Sequence, residues 1–131
     1  MVFGIGSDVV QISRIDSLVN RWGHRFLKRV FTQSEIEYCL RRKHPSPHLA
    51  VRFGAKEAFL KALGVGYSEG IRWRDIEVLR HESGRPEIQL HQQAKALCDH
   101  HSICGVHLSM SHDGNYGFAE VLLESETGTP R

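Results

Sequence analysis

The sequence predicts an α+β protein, a mostly antiparallel sheet with helices packed on one side. Two observations carry that class. Three segments between residues 13 and 63 space their apolar residues as helices do, and from residue 75 to 124 the period changes to two. The last two strand-like runs are joined at HDGN, residues 112–115, a strong hairpin signal. Strands that alternate through tight turns pair antiparallel and leave the helices to cover one face.

Each element follows from its own residues. Residues 2–10 read as a buried first strand, with Val2, Ile5, Val9 and Val10 interrupted by Gly4 and Gly6. Residues 13–29 read as a helix, with Ser13 as N-cap and Ile15, Leu18, Val19 and Trp22 as the apolar side. Thr32 and Glu35 have capping-box spacing and start a helix that runs to about Arg42. HPSPH, residues 44–48, reads as a loop, because two prolines forbid a continuous helix. Residues 49–63 form the next helix. On its wheel Gly54, Ala55, Ala58, Phe59 and Ala62 make the core arc, and Arg52, Lys56, Glu57 and Lys61 fall on the opposite half. Residues 64–70 are loop. Strands follow at 75–80 and 87–90 around the turn HESGRP, then a short helix at HQQAKALCDHH, then strands at 106–111 and 116–124. One domain, residues 1–124, is expected, with a loose tail at 125–131.

Bulk properties exclude several classes. With 40% hydrophobic and 24% charged residues, the chain has the composition of a soluble globular protein. No apolar run approaches the roughly 20 residues that span a bilayer. The N-terminus lacks the basic segment and long apolar core of a signal peptide, so a cytoplasmic protein is expected. Cys39, Cys98 and Cys104 have neither zinc-finger nor redox spacing, and idle thiols fit a reducing compartment. The net charge of +2 hides an imbalance. Arg14, Arg21, Arg25, Lys28, Arg29, Arg41, Arg42 and Lys43 are opposed over that stretch only by Asp16, Glu35 and Glu37. No nucleic-acid motif accompanies them, so the favoured partner of this basic surface is an acidic protein.

Three polar clusters bear chemistry. In GIGSD, Asp8 stands on an otherwise apolar strand, where a carboxylate needs a partner or a metal. A third glycine and a following helix are missing, so this is no dinucleotide fingerprint. Asp8 and Glu57 together could supply two hard oxygen ligands to Mg²⁺, with phosphate and water oxygens completing the octahedron. Arg52, Lys56 and Lys61 around such an ion suit a polyphosphate, and Gly64 and Gly66 let backbone approach it closely. In SMSHDGNY, Ser109 and Ser111 share one strand face, and His112 begins the turn where it could donate to a phosphate. Cys98, His100, His101 and Cys104 are zinc-ligand types, but a helix end points them in several directions. A non-catalytic module that binds nucleotide or RNA is the competing reading, with Asp8 and Glu57 as structural charges.

GIGSDVVQISRI, FTQSEIEYC, RFGAKEAFLKALGVG, WRDIEV, SGRPEIQL and HLSMSHDGNYGFAEV occur in that order over almost the whole chain. In this the sequence resembles the bacterial holo-[acyl-carrier-protein] synthases, the small class of 4′-phosphopantetheinyl transferases. The resemblance implies that Asp8 and Glu57 hold Mg²⁺ on the pyrophosphate of coenzyme A, with Lys61 completing the catalytic set. It implies that a serine of apo acyl carrier protein attacks the β-phosphate, taking phosphopantetheine and releasing adenosine 3′,5′-bisphosphate in support of fatty acid biosynthesis. Nucleotide contacts are then expected from Arg52, Lys56, Lys61, Gly64, Gly66, Arg85, Pro86, Ser111 and His112. A homotrimer with sites shared between subunits is implied too. The carrier protein is expected to dock on Arg14, Arg21, Arg25, Phe26 and Arg29. Asp113 departs from the family, whose members often have a small hydroxyl residue there.

Overall fold

A computed structural model describes residues 1–66 and 69–126. In chain order the elements are β1 (Val2–Gln11), α1 (Ile12–Trp22), α2 (His24–Val30), α3 (Gln33–Leu40), α4 (Pro45–Leu63), a 3-10 turn at Trp73–Asp75, β2 (Ile76–Arg80), β3 (Pro86–Leu90), α5 (Gln92–His100), β4 (Ile103–Asp113) and β5 (Tyr116–Ser125). Both sheets are antiparallel, one ordered β1-β5-β4 and the other a β2-β3 hairpin. β1 runs the length of β5, from Val2 opposite Glu124 to Gln11 opposite Tyr116.

α4 is the central element. One side packs on the three-stranded sheet in a core with Ala119, Val121 and Leu123 of β5. Its N-terminal end, at Leu49 and Ala50, joins a second core with Ile15, Leu27, Val30 and Ile36 of the earlier helices and Phe31 just past α2. The approach to β1 is possible only because of glycine. A Cβ on Gly6 would sit 2.1 Å from the carbonyl oxygen of Ala58 and 2.6 Å from the backbone nitrogen of Ala62. A Cβ on Gly4 would sit 2.0 Å from the Ala62 carbonyl oxygen. Gly6→Ala should therefore cost about 2–3 kcal/mol, since the strand must back away from the helix. Urea denaturation of the variant checks this, and a midpoint equal to that of the parent would refute the close contact.

Three expectations about helices are corrected. The helix expected over 13–29 breaks at Gly23, whose φ of 55° lies in the region that glycine favours. HPSPH is not a loop: α4 begins at Pro45. Pro45 and Pro47 occupy the first turn, where backbone N–H groups have no helical acceptor, so their missing donors cost nothing there. Ser13 does not cap α1 with its own side chain. Its N–H donates instead to Asn115 Oδ1 at 2.9 Å, and Asn115 Nδ2 donates back to Ser13 Oγ at 3.0 Å. The cap expected at Thr32 is present. Glu35 N donates to Thr32 Oγ1, and Thr32 N donates to Glu35 Oε1 at 2.8 Å.

Strand limits shift by small amounts. Asp75 belongs to the 3-10 turn, and β4 extends well beyond 106–111. Ser125 is not loose tail but the buried last residue of β5. Residues 127–131 of the expected tail, and Tyr67 and Ser68 of the expected loop, lie outside the described residues.

Candidate active site

Asp8 lies on the face of β1 turned to α4, in the same alternating set as Gly4, Gly6 and Val10. Lys61 of α4 reaches it. Lys61 Nζ donates to Asp8 Oδ1 at 3.0 Å and to the Ser7 carbonyl at 3.1 Å. The Asp8 side chain is 19% exposed and that of Lys61 57%, so the pair sits at the rim of the β1–α4 contact rather than inside it.

Glu57 joins this rim by helix geometry. A Cβ on Gly54 would be 3.9 Å from the Asp8 carbonyl and 3.3 Å from Val10 Cγ2, while one on Gly6 would be 2.9 Å from Lys61 Cβ. Asp8 is thus flanked along α4 by Gly54 and Lys61, with Glu57 between them in sequence. Residues four apart share a helix face, so Glu57 stands one turn before Lys61 on the same side. Its side chain is partly buried. Two of the three residues expected to be catalytic, Asp8 and Lys61, thus meet at one rim, and Glu57 stands one helical turn from Lys61.

The residue types fit a hard cation. Two carboxylates leave several positions of an octahedron for phosphate and water oxygens, the usual mode of Mg²⁺. The Lys61 ammonium on Asp8 shows that this carboxylate already attracts a cation. Among the described residues no group of three His, Cys, Asp or Glu could hold a metal, which leaves the zinc-type residues around Cys98 without support.

Lys56 is a correction. The wheel put it on a solvated half of the helix, but it is fully buried and ion-paired with Glu35 at 2.9 Å. Its other bonds go to the carbonyls of Trp73 and Ile76, and Glu35 also accepts from Val78 N at 2.9 Å. Every donor of the ammonium is occupied in the core, so Lys56 cannot reach a nucleotide. The wheel failed because α4 is covered on both sides.

Arg52 is buried as well, but differently. One Nη donates to the His48 carbonyl at 3.2 Å, the guanidinium lies 4.3 Å from the centre of the Tyr38 ring, and Nε has no partner. Arg42 stacks on the same ring at 4.5 Å, and Arg80 Nε donates to the Tyr38 hydroxyl at 2.7 Å. A cavity of about 350 Å³ opens here, lined in part by Arg41, Arg52 and Arg80 with Tyr38. Burial, then the positive field of Arg52 and Arg42, pushes the pKa of His48 below its ordinary value. The spot therefore favours an anion. His112 reaches this neighbourhood through His48, with ring centres 6.5 Å apart. The turn bearing Arg85 is tied to it by Arg80, which also donates to the Gly84 carbonyl. Tyr38, Arg42, His48 and Arg80 were not foreseen as site residues. The only signal was the basic run that contains Arg42.

Residues 4–117 match the sequence profile of the 4′-phosphopantetheinyl transferase superfamily. The holo-[acyl-carrier-protein] synthase of Geobacter sulfurreducens is 47% identical over 124 residues, covering 95% of this chain and 98% of that protein. That of Syntrophotalea carbinolica is 46% identical over 121 residues, covering 92% and 94%. The chain belongs to this family. Among solved structures, the holo-[acyl-carrier-protein] synthase of Neisseria meningitidis superposes with a TM-score of 0.88 at 34% identity, over 95% of this chain and 100% of that one. That of Helicobacter pylori in complex with coenzyme A does so with a TM-score of 0.81 at 35% identity, over 92% and 99%.

The remaining candidates of this transferase-family chain are placed unevenly. Gly64 ends α4 with φ 81°, and its N–H is taken by the carbonyls of Leu60 and Lys61, so it has none to offer a ligand. Gly66 is exposed with open space around it. Arg85 is exposed, and Pro86 opens β3. Ser111 is exposed on the sheet face turned away from α4, so within one chain the sheet separates it from Asp8.

The basic residues expected to dock a carrier protein are on α1 and α2, either side of the break at Gly23. Arg14, Arg21, Arg25 and Arg29 are exposed. Trp22, expected on the apolar side of the helix, is 45% exposed, with Arg21 and Arg25 over its ring at 5.1 and 5.7 Å. Leu18, Trp22, Arg25, Phe26 and Arg29 line a shallow cavity of about 350 Å³. Phe26 is partly buried edge-on to Phe31 and still contributes to this surface.

Proposed function

We propose that this chain transfers 4′-phosphopantetheine from coenzyme A to a serine of apo acyl carrier protein, with Mg²⁺, in support of fatty acid biosynthesis. The released product is adenosine 3′,5′-bisphosphate. The observation that carries the reading is the rim where Asp8 of β1 meets Lys61 of α4, one turn past Glu57. Asp8 and Glu57 would hold the ion, which supplies neutralisation of pyrophosphate charge and alignment for in-line transfer. Lys61 adds an ammonium for the same oxygens. The exposed backbone at Gly66 lets the diphosphate come close. Arg52, Arg42 and Arg80, with the unpartnered Arg52 Nε, suit a further phosphate of the nucleotide. Mass spectrometry of apo carrier protein incubated with this chain, coenzyme A and Mg²⁺ tests the proposal. No added phosphopantetheine, or addition that persists with excess chelator, would sink it.

The proposal includes a homotrimer with shared sites, and two observations support it. Ile5, Val9, Tyr116 and Phe118 are exposed on the outer face of the three-stranded sheet, an apolar surface of the kind that meets other copies. Arg52 and Glu57 lie five residues apart on α4 and so point to different sides of it, and Ser111 is on a third surface. One nucleotide touching all of these must bridge two copies. The three free cysteines suit the reducing cytoplasm in which the reading places the protein.

Carrier docking follows from the surface around Trp22. Exposed charges mainly speed encounter and impose salt dependence. The double variant Arg14→Glu, Arg25→Glu should raise KM for carrier protein at least about tenfold while leaving KM for coenzyme A nearly unchanged, because two attractive charges become repulsive. Raised ionic strength should reproduce part of the effect. Equal loss for both substrates would remove this face from consideration.

A further inference from the structure

The carboxylate assigned to the metal already has a cation of the chain's own. Lys61 Nζ lies 3.0 Å from Asp8 Oδ1, and a second donor goes to the Ser7 carbonyl. Lys61 is more than half exposed, on a flexible stem that can leave this position. An ammonium and a divalent ion cannot both sit against one carboxylate without strong mutual repulsion. The two cations therefore compete for Asp8.

We propose that Lys61 is an internal stand-in for the metal, and that the coenzyme A pyrophosphate lifts the competition by accepting the ammonium. The proposal rests on the metal assignment above. The free protein then binds the divalent ion weakly. Coenzyme A offers Lys61 new anionic oxygens, Asp8 is freed, and metal and coenzyme A each strengthen the other's binding. Linkage makes that reinforcement reciprocal. It also protects the site, because without substrate the carboxylate is neutralised rather than left to collect cations.

The test uses Mn²⁺ as the probe, with free ion read by electron paramagnetic resonance, on the full chain with and without coenzyme A. Lys61→Met keeps the aliphatic stem and removes the charge. Without coenzyme A it should bind Mn²⁺ about fivefold more tightly than the parent, the ceiling for a partly exposed ion pair. The gain in Mn²⁺ affinity on adding coenzyme A should shrink in the same variant. Lys61→Arg, which keeps a cation there, should stay close to the parent in both measurements. Mn²⁺ affinity in Lys61→Met equal to or weaker than the parent's would overturn the interlock. Asp8→Asn separates this from the underlying assignment. It should lose Mn²⁺ binding, and if it binds like the parent the metal site itself is misplaced, whatever Lys61 does.

Discussion

Asp8→Asn and Glu57→Gln should each abolish phosphopantetheine transfer while leaving the fold intact. Both changes remove charge and keep shape. Removing a mere supporting neighbour of a metal ligand already costs about 10–100-fold, so loss of a ligand should exceed about 100-fold in kcat/KM. The fold should tolerate the change at Asp8, which sits at a rim and whose ion-pair partner Lys61 is more than half exposed, and the change at Glu57 keeps the side chain's shape. The measurements are initial rates by mass spectrometry and the thermal midpoint. A variant that keeps more than a tenth of the parent rate at saturating Mg²⁺, with an unchanged midpoint, rejects that residue as a ligand. If both variants survive, the competing reading of these acids as structural charges gains the ground.

Lys56→Met should produce the largest loss of stability. The substitution fits the same space but leaves Glu35 as an uncompensated carboxylate in the core. Breaking one half of a buried pair costs about 3–5 kcal/mol, far more than the net worth of the pair. Three elements feel it together, because Glu35 caps α3 and bonds Val78 of β2, while Lys56 belongs to α4. The double variant Glu35→Gln, Lys56→Met should recover part of the loss, since no bare charge is then left buried. Urea denaturation gives both values. A cost under about 1 kcal/mol, the range of an exposed pair, would mean that Lys56 reaches solvent after all. Coenzyme A affinity of the folded Lys56→Met protein should be unchanged, in contrast to the sequence-based expectation of a nucleotide contact.

Helices were legible where caps and spacing agreed, as at Thr32 and Glu35, whose capping box needs only two side chains three residues apart. The start of α4 was not legible, because proline is a helix breaker everywhere except in the first turn, and nothing local says which turn a proline occupies. Gly23 was visible as a residue but not as a break, since glycine inside a helix is tolerated elsewhere. Asp8 and Glu57 stood out because a charge among apolar and glycine residues asks for a partner. Lys56 stood out for the same reason and turned out to have found its partner in Glu35, 21 positions away. A helical wheel divides a helix into a dry and a wet half, and α4 has no such division along most of its length. Tyr38 carries no sequence signal of its own, since an aromatic near a basic run reads as core; its ring packs on the second core and also gathers three arginines.

The pairing of β1 with β5 sets the order in which the chain can acquire its structure. Among the described residues β1 finds its one strand partner in residues 116–124. A ribosome adding about 5–20 residues per second takes roughly 5–20 s to deliver them. Through that interval the strand carrying Asp8 has an open edge on both sides and exposes Ile5, Val9 and Val10. Docking on α4 through the glycine contacts can shelter one face of it, but not its backbone donors and acceptors. The strand carrying Asp8 thus waits longer for its partner than any other described strand, and it is the segment on which a chaperone, or a misplaced strand from another chain, has the longest opportunity to act.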